Sequence, residues 1–481
     1  MSERLQSIID ARGPIRNIGV VGMGYVGIPA AVLFADAPEF ESVIGFQRDS
    51  PSSGYKIGML NRGESPLKGE EPGLEDLLGK VVGAGKFWCT SDFSEVAACD
   101  AVTLAIQTPF LDPKDLIPDF SALTEGLRAV GRHLSEGTLV VLESTVTPGT
   151  TERMAREILE GESGLVAGED FALAHAPERV MVGRLLRNIR EHDRIVGGID
   201  DVSTARAVEL YRPVLTTGTI IPMSATAAEV TKTAENAFRD LQIAAANQLA
   251  LHCEAMGVNV YDVRAGIDSL KGEGITRAIL WPGAGVGGHC LTKDTYHLER
   301  GVQVLGGDLD WPEGRESLYT LARGINDFMP EHMLHLTESA LGEVGKGLAG
   351  SKIAMLGWAF INDSDDARNT PAEPFYEAAI AAGALVRVHD PWVDPATSPD
   401  APPGLSRDLE GVLSGADAVV VFAGHKEYRG LVPAQVKELC GSAHPAIVDG
   451  RNVVDPDAWI AAGFAYRGIG RGDKNGHALQ E

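Results

Sequence analysis

The chain has 481 residues, 67 acidic and 42 basic, for a formal charge of −25. At roughly 100–200 residues per domain this length suggests about three domains, and 44 per cent apolar with 23 per cent charged residues argues against wholesale disorder and fibrous classes. The shortage of Lys and Arg argues against a protein that coats nucleic acid, although helix N-termini and a few cations can still hold a phosphate locally.

The opening stretch to Asn17 has no apolar signal-peptide core. No apolar run approaches the ~20 residues that span a bilayer, so a soluble, cytoplasmic protein with no membrane partner is expected. From Ile15 an apolar run ends in Gly22-Met23-Gly24-Tyr25-Val26-Gly27 and an Ala-rich helix. In a GxGxxG turn between strand and helix, the first glycine permits the tight turn. The second lets the backbone approach a pyrophosphate, and the third lets helix and strand pack closely. The acid expected about 20 residues on is missing, since Gln47 and Arg48 stand there. NAD is the expected cofactor, with NADP as the alternative, because Arg48 offers a cation to a 2′-phosphate while Gln47 can bond a ribose hydroxyl.

Apolar runs at 41–46, 100–109, 137–144 and 193–199 alternate with helical patterns up to Arg212, and so read as βαβ units with a parallel sheet. The middle differs. Residues 225–256 contain no Gly or Pro and predict one helix of about 30 residues, ~45 Å long. Val230, Ala234, Ala237, Leu241 and Ala245 recur along an apolar face, while Glu229, Lys232, Asn236 and Arg239 mark a polar one. A second α/β pattern follows at 350–470, with strand-like runs at 384–391, 417–424 and 445–452, and the Gly-rich tail from Gly470 is expected to be loose. The expected fold class is α/β, with two Rossmann-like doubly wound parallel-sheet domains joined by a central helical domain with a long helix. The expected boundaries are 1–212, 213–330 and 331–481.

Five cysteines without a CxxC pair argue against a disulfide framework or a thiolate zinc cage. Cys290 stands apart. Gly283-Ala284-Gly285-Val286-Gly287-Gly288-His289 precedes it and a helical pattern follows, and thiolate is favoured near a helix N-terminus. Lys293 and Asp294 lie one turn on, a cation and a carboxylate beside a nucleophilic thiol. The alternative is a small packing cysteine. His289, Cys290 and His297 lack an acceptable fourth ligand, so no metal is expected.

With the glycine turn, Thr108-Pro109, ESTVTPGTT at 143–151, APER at 176–179, AE-x-x-K-x-x-x-N at 228–236, GGHCLTKD at 287–294, LGWAF at 356–360, DD-x-R-x-x-P at 365–371 and DGRN at 449–452, the chain resembles the UDP-glucose/GDP-mannose dehydrogenase family. The resemblance implies a four-electron oxidation of a sugar hydroxymethyl group to a carboxylate. It makes 1–212 the cofactor domain, 213–330 the dimerisation domain bearing the cysteine loop, and 331–481 the UDP-sugar domain. Cys290 would trap the aldehyde as a thiohemiacetal and carry the later thioester. Lys232 and Asn236 would bind the reacting oxygen, with Lys232 facing a developing oxyanion. Asp294, supported by Thr145, would partner a basic water, Glu178 would assist thioester hydrolysis, and Lys293 would flank the nucleophile.

By the same resemblance the cofactor contacts are Gly22, Gly24, Tyr25, Val26, Gly27, Gln47, Arg48, Thr108, Pro109, Thr145 and Arg368. The substrate contacts are Glu178, Arg179, Lys232, Asn236, Gly285, Gly287, His289 and Arg451. The apolar face of the long helix would meet a second copy, giving a homodimer or higher oligomer. Two features bear on the sugar. His289 is similar to dehydrogenases of UDP-N-acetylhexosamines, notably UDP-N-acetyl-D-mannosamine, as is the segment 45–78. Ile361 stands where the family often has a phosphate-binding Lys. UDP-glucose or another UDP-N-acetylhexosamine is the alternative substrate. A single-step hydroxyacid-type dehydrogenase would lack the nucleophilic Cys and the third domain. A catalytically silent nucleotide-binding regulator would have no need of Cys290, Lys232, Asn236 and Asp294 together.

Overall fold

The computed structural model describes residues 2–67, 71–112, 116–270, 279–307, 316–396, 398 and 401–476. The chain forms two compact units, Met1–Glu235 with Tyr296–Asp310, and Asn236–Thr295 with Trp311–Glu481.

In the first unit, strands β1 (Asn17–Val21), β2 (Ser42–Phe46), β3 (Phe87–Thr90) and β4 (Ala101–Leu104) precede a short hairpin, β5 (Phe110–Asp112) and β6 (Ile117–Pro118). Then come β7 (Leu139–Leu142), β8 (Ala172–His175), β9 (Arg194–Gly198) and β10 (Ile220–Ser224). The main sheet runs β10-β9-β8-β7-β4-β1-β2-β3. Strands β4, β7 and β8 are buried at every residue, as expected where helices cover both faces of a sheet. The neighbours pair in parallel except β8 with β9, which is antiparallel. The expected all-parallel pattern is therefore broken once. The strand order reverses direction at β1 and β4, and in open α/β sheets ligands bind at such a switch point, outside the carboxyl ends of the strands.

The second unit contains β11 (Lys352–Leu356), β12 (Leu385–His389), β13 (Ala418–Val421), β14 (Ala446–Asp449) and β15 (Ala465–Gly468). They form a sheet ordered β12-β11-β13-β14-β15, parallel throughout. Its switch point lies between β11 and β13. Helix Leu318–Glu343 packs beside this sheet, capped by Ser317, which accepts from the Tyr319 N–H.

The long helix runs Ala225–Ala255, one residue short of expectation. Its buried stripe is not the expected apolar face. Val230 is exposed and Ala245 is too, whereas Glu229, Lys232, Thr233, Asp240 and Asn247 are buried. The physical reason is that Glu229, Thr233, Asp240 and Asn247 each have hydrogen-bond partners inside. In the second unit, Arg323 Nη1 and Asn326 Nδ2 donate to Asp240 Oδ1 at 2.5 and 2.8 Å. Asn247 donates to Asn326 Oδ1 at 2.9 Å and accepts from the Gly283 N–H at 2.9 Å. The start of the glycine-rich loop thus hangs from the long helix through a buried amide. The tail departs from expectation as well. Gly470 donates to Glu254, and Asn475 exchanges two hydrogen bonds with Gly468, so 470–476 is tied down. Residues 477–481, and 68–70 within the segment 45–78, lie outside the described residues. Among the described residues, no helix is long and apolar enough to cross a membrane.

Candidate active site

The glycine turn follows β1 directly. Gly22 has φ +97°, and a Cβ there would lie 2.6 Å from the Ala105 carbonyl oxygen. A Cβ on Gly27 would lie 2.1 Å from the Gly22 oxygen, whereas one on Gly24 would meet nothing within 4 Å. The turn is closed against the end of β4 at Gly22, against itself at Gly27, and open at Gly24, which fits close approach of a pyrophosphate. Tyr25 and Val26 complete the turn, and the helix starts at Gly27. Gln47 Oε1 accepts from the Met23 N–H at 3.1 Å, and Lys56 Nζ donates to the Met23 oxygen at 2.9 Å. Burial lowers the Lys56 pKa. Arg48 is exposed and ion-paired with Glu125 at 2.6 Å.

At the ends of β4 and β7, the Thr108 hydroxyl donates to the Thr145 carbonyl oxygen, which brings two expected site residues together. Ser144 Oγ accepts from the Ile106 N–H at 2.9 Å. Pro109 follows, and its carbonyl accepts from the Asp119 N–H.

Glu178 sits among buried ionisable groups. Arg194, at the start of β9, contacts Glu178 Oε1 through Nη1 and reaches Glu143 Oε1 through Nη2 at 2.9 Å. The Tyr211 hydroxyl donates to the same Glu143 oxygen at 2.8 Å, and the guanidinium lies 3.9 Å from the Tyr211 ring centroid. His175, fully buried, is pushed down to about 3 by burial, with the Arg194 and Lys232 charges adding to it, so it is neutral. Arg179 donates to the Asp193 carbonyl and lies 3.8 Å from Glu235. Lys232 is buried. One turn before it, Glu229 accepts from the Gly149 N–H at 2.6 Å, and from Thr151 N–H and Oγ at 2.8 and 2.6 Å. Burial raises Glu229 to about 7.

In the second unit Cys290 is exposed, while the other four cysteines are buried. It lies in a turn rather than at the first residues of a helix, which begins at Asp294. The Asp294 N–H closes that turn on the Cys290 carbonyl at 2.9 Å. The Asp294 carboxylate is fully buried, with Oδ2 accepting from Asn236 Nδ2 at 2.5 Å and Oδ1 from Lys293 Nζ at 3.2 Å. Three expected residues are thus joined directly, a contact the spacing alone did not suggest. Before the thiol, Gly285 and Gly288 have φ +122° and +90°. Phe360 lies so close that a Cβ on Gly287 would fall 2.6 Å from its own Cβ. His289 is half-buried beside the thiol. The Gly288 N–H donates to the Arg368 carbonyl at 2.9 Å, and the Arg368 guanidinium pairs with Asp366. Arg451 Nη2 lies 3.5 Å from Asn362 Oδ1, and burial lowers its pKa.

Family models match in chain order: the NAD binding domain of the UDP-glucose/GDP-mannose dehydrogenase family at residues 16–215, its central domain at 226–314 and its UDP binding domain at 354–456. The chain belongs to that family. Its members are nucleotide-sugar dehydrogenases, and this one is an NAD-dependent oxidoreductase. The chain is similar to the UDP-N-acetyl-D-mannosamine dehydrogenase of Pyrococcus horikoshii, 36% identical over 457 residues, covering 95% of this chain and 100% of the relative. A crystal structure of NDP-N-acetyl-D-galactosaminuronic acid dehydrogenase from Methanosarcina mazei Go1 is 70% identical, with a TM-score of 0.91 and 99% of each chain covered. The UDP-D-ManNAc dehydrogenase structure from Pyrococcus horikoshii aligns with a TM-score of 0.82 at 35% identity, over 95% of this chain and 100% of that one.

Arg194, Glu143, Tyr211 and Glu229 are the residues that sequence reasoning left without a role. Glu143 and Glu229 stand inside quoted motifs, and that is the signal they carry.

Proposed function

We propose that the enzyme converts UDP-N-acetyl-D-mannosamine to UDP-N-acetyl-D-mannosaminuronate by two successive oxidations at one carbon, through a thioester on Cys290. The observation that carries this reading is the thiol turn. Cys290 is exposed at the end of a glycine run packed against Phe360, and Asp294, one turn on, is buried and held by Asn236 and Lys293. Gly22, Gly24, Tyr25, Val26 and Gly27 of the turn, with Gln47, Thr108, Pro109, Thr145 and Arg368, would hold NAD, which would supply the hydride acceptor for each oxidation.

The protein's groups do the rest. Asn236 and the Lys232 ammonium hold the reacting oxygen, and Lys232 stabilises negative charge on it. A water oriented by Asp294 and Thr145 takes the alcohol proton. The Cys290 thiolate, with Lys293 beside it, adds to the aldehyde carbon and keeps it from diffusing away. After the second oxidation, water attacks the thioester with help from Glu178. The C–S bond breaks, the acid leaves and the thiol is restored. Arg179, Gly285, Gly287, His289 and Arg451 would hold the nucleotide sugar. On this reading segments 1–212, 213–330 and 331–481 serve cofactor, assembly and UDP-sugar binding in the cytoplasm. The exposed Val230 and Phe238 on the long helix support a homodimer.

One observation favours a second sugar. The 70%-identical structure carries an N-acetyl-D-galactosaminuronic acid name, so UDP-N-acetyl-D-galactosamine is the competing substrate. Turnover of a panel of UDP-sugars with NAD decides between them. A kcat/KM at least about tenfold, or 1.4 kcal/mol, higher for the manno sugar supports the first reading, and the reverse order replaces it.

A further inference from the structure

Glu178 does not stand alone in the first unit. Arg194 projects from the first residue of β9, the strand that runs antiparallel to β8, and so meets both the residue following β7 and the segment following β8. One guanidinium serves two carboxylates there, Glu178 through Nη1 and Glu143 through Nη2. The second nitrogen also donates to the Ala176 carbonyl at 3.2 Å, which fixes the fork against the backbone leading to Glu178. Arg194, Glu143, Glu178 and Tyr211 are each no more than 9% exposed.

We infer that Arg194 and Glu143 are positioning residues that set the orientation and the proton affinity of Glu178 for the hydrolytic half of the reaction. The inference rests on the reading of Glu178 given above. Two buried carboxylates on one cation titrate as a pair, because ionising one makes ionising the other harder. The Glu143 charge therefore raises the proton affinity of Glu178, while Arg194 holds its oxygen in place. The other ionisable groups around the pair leave this balance intact. His175 on β8 is neutral, Lys232 lies on the long helix, and the Tyr211 hydroxyl donates a hydrogen bond to Glu143. The Arg179 N–H donates to Glu178 Oε2 at 3.2 Å, while its guanidinium is turned to Asp193 and Glu235. Burial pushes the Glu143 carboxyl upward, against the opposing pull of Arg194 and Tyr211.

The test uses the full-length enzyme with NAD and the UDP-sugar preferred in the panel. Acyl-enzyme on Cys290 is followed by intact-protein mass, and its hydrolysis rate is measured across pH. Glu143→Gln keeps the shape and one acceptor oxygen but removes the charge. The acid limb of hydrolysis is then expected to move to lower pH by about one unit, a tenfold change at a fixed pH on that limb. Arg194→Lys keeps the charge but loses the fork, and should slow hydrolysis so that acyl-enzyme accumulates while the first hydride transfer stays near wild type. An unmoved acid limb in Glu143→Gln overturns the inference, whether or not Arg194→Lys folds. Glu178→Gln separates the two claims. If it accumulates acyl-enzyme while Glu143→Gln behaves as wild type, only the positioning role falls. If Glu178→Gln hydrolyses the thioester at the wild-type rate, the reading of Glu178 falls and takes the positioning role with it.

Discussion

The two sheets begin alike and then part. In each, the first strand ends at a glycine with φ +97°, Gly22 after β1 and Gly357 after β11. Just past the end of the second strand, a side chain reaches back to accept a hydrogen bond from the turn that follows. After β2 this is Gln47, a neutral amide with one bond to the Met23 N–H. After β12 it is Asp390, fully buried. Its Oδ2 accepts from the Trp358 and Ala359 N–H groups at 2.7 and 2.9 Å, and its Oδ1 from those of Trp392 and Val393 at 2.8 and 3.0 Å. Burial alone would raise the Asp390 pKa, but the His425 and backbone donors outweigh it and hold the carboxyl below its ordinary value. The first turn is lightly pinned and open at Gly24. The second is filled by the buried Trp358 and locked by a charge. The same topological position is thus open in one sheet and closed in the other, and a carboxylate at the end of a second strand does not by itself mark a ribose site.

Substitutions at these turns break or sharpen the contrast. The largest effect is expected at Gly27→Ala, whose Cβ would collide with the Gly22 carbonyl. NAD affinity should fall about 100-fold, with roughly 1–3 kcal/mol of stability lost to overpacking. Gly24→Ala faces open space, so calorimetry of NAD binding should show weakening with an unchanged melting temperature. Equal loss of stability in both variants would contradict the open-turn account. Asp390→Asn comes next. It removes the charge from a buried set of four N–H groups, and should cost about 3 kcal/mol in denaturant titrations while leaving NAD affinity as it was. The smallest effects lie at the end of β2. Gln47→Glu supplies the missing carboxylate and should raise the preference for NAD over NADP by about tenfold. Arg48→Ala, on an exposed ion pair worth at most about 1 kcal/mol, should change NAD affinity less than about twofold.

What the sequence shows of this protein is what neighbouring residues can encode. The strands β4, β7 and β13 are continuous apolar runs and were legible. The glycine turn and the thiol loop are local as patterns, although the contacts that demand glycine, Ala105 against Gly22 and Phe360 against Gly287, come from far along the chain. Strand β10 has a weaker local signature, since its apolar run is short, contains Pro222 and lies largely exposed at a sheet edge. The antiparallel seat of β9 has no local signature either. The long helix misled for a different reason. Its buried side carries Glu229, Lys232, Asp240 and Asn247, and periodicity counts such residues as solvent-facing. The partners of Glu229, Asp240 and Asn247, namely Thr151, Arg323 and Asn326, are distant in sequence. Arg194 and Glu143 escaped for the same cause, being 51 residues apart. The pairing of Asn236 with Asp294, 58 residues away, could not be read from either motif alone.

The claim that one thiol carries both oxidations is tested most directly by counting products. With the preferred UDP-sugar in limiting amount, reduced cofactor is measured by absorbance and the uronate by chromatography. The account predicts two NADH for each acid formed, and neither acid nor a second NADH from Cys290→Ser. One NADH per product, or acid from Cys290→Ser at the wild-type rate, would contradict it.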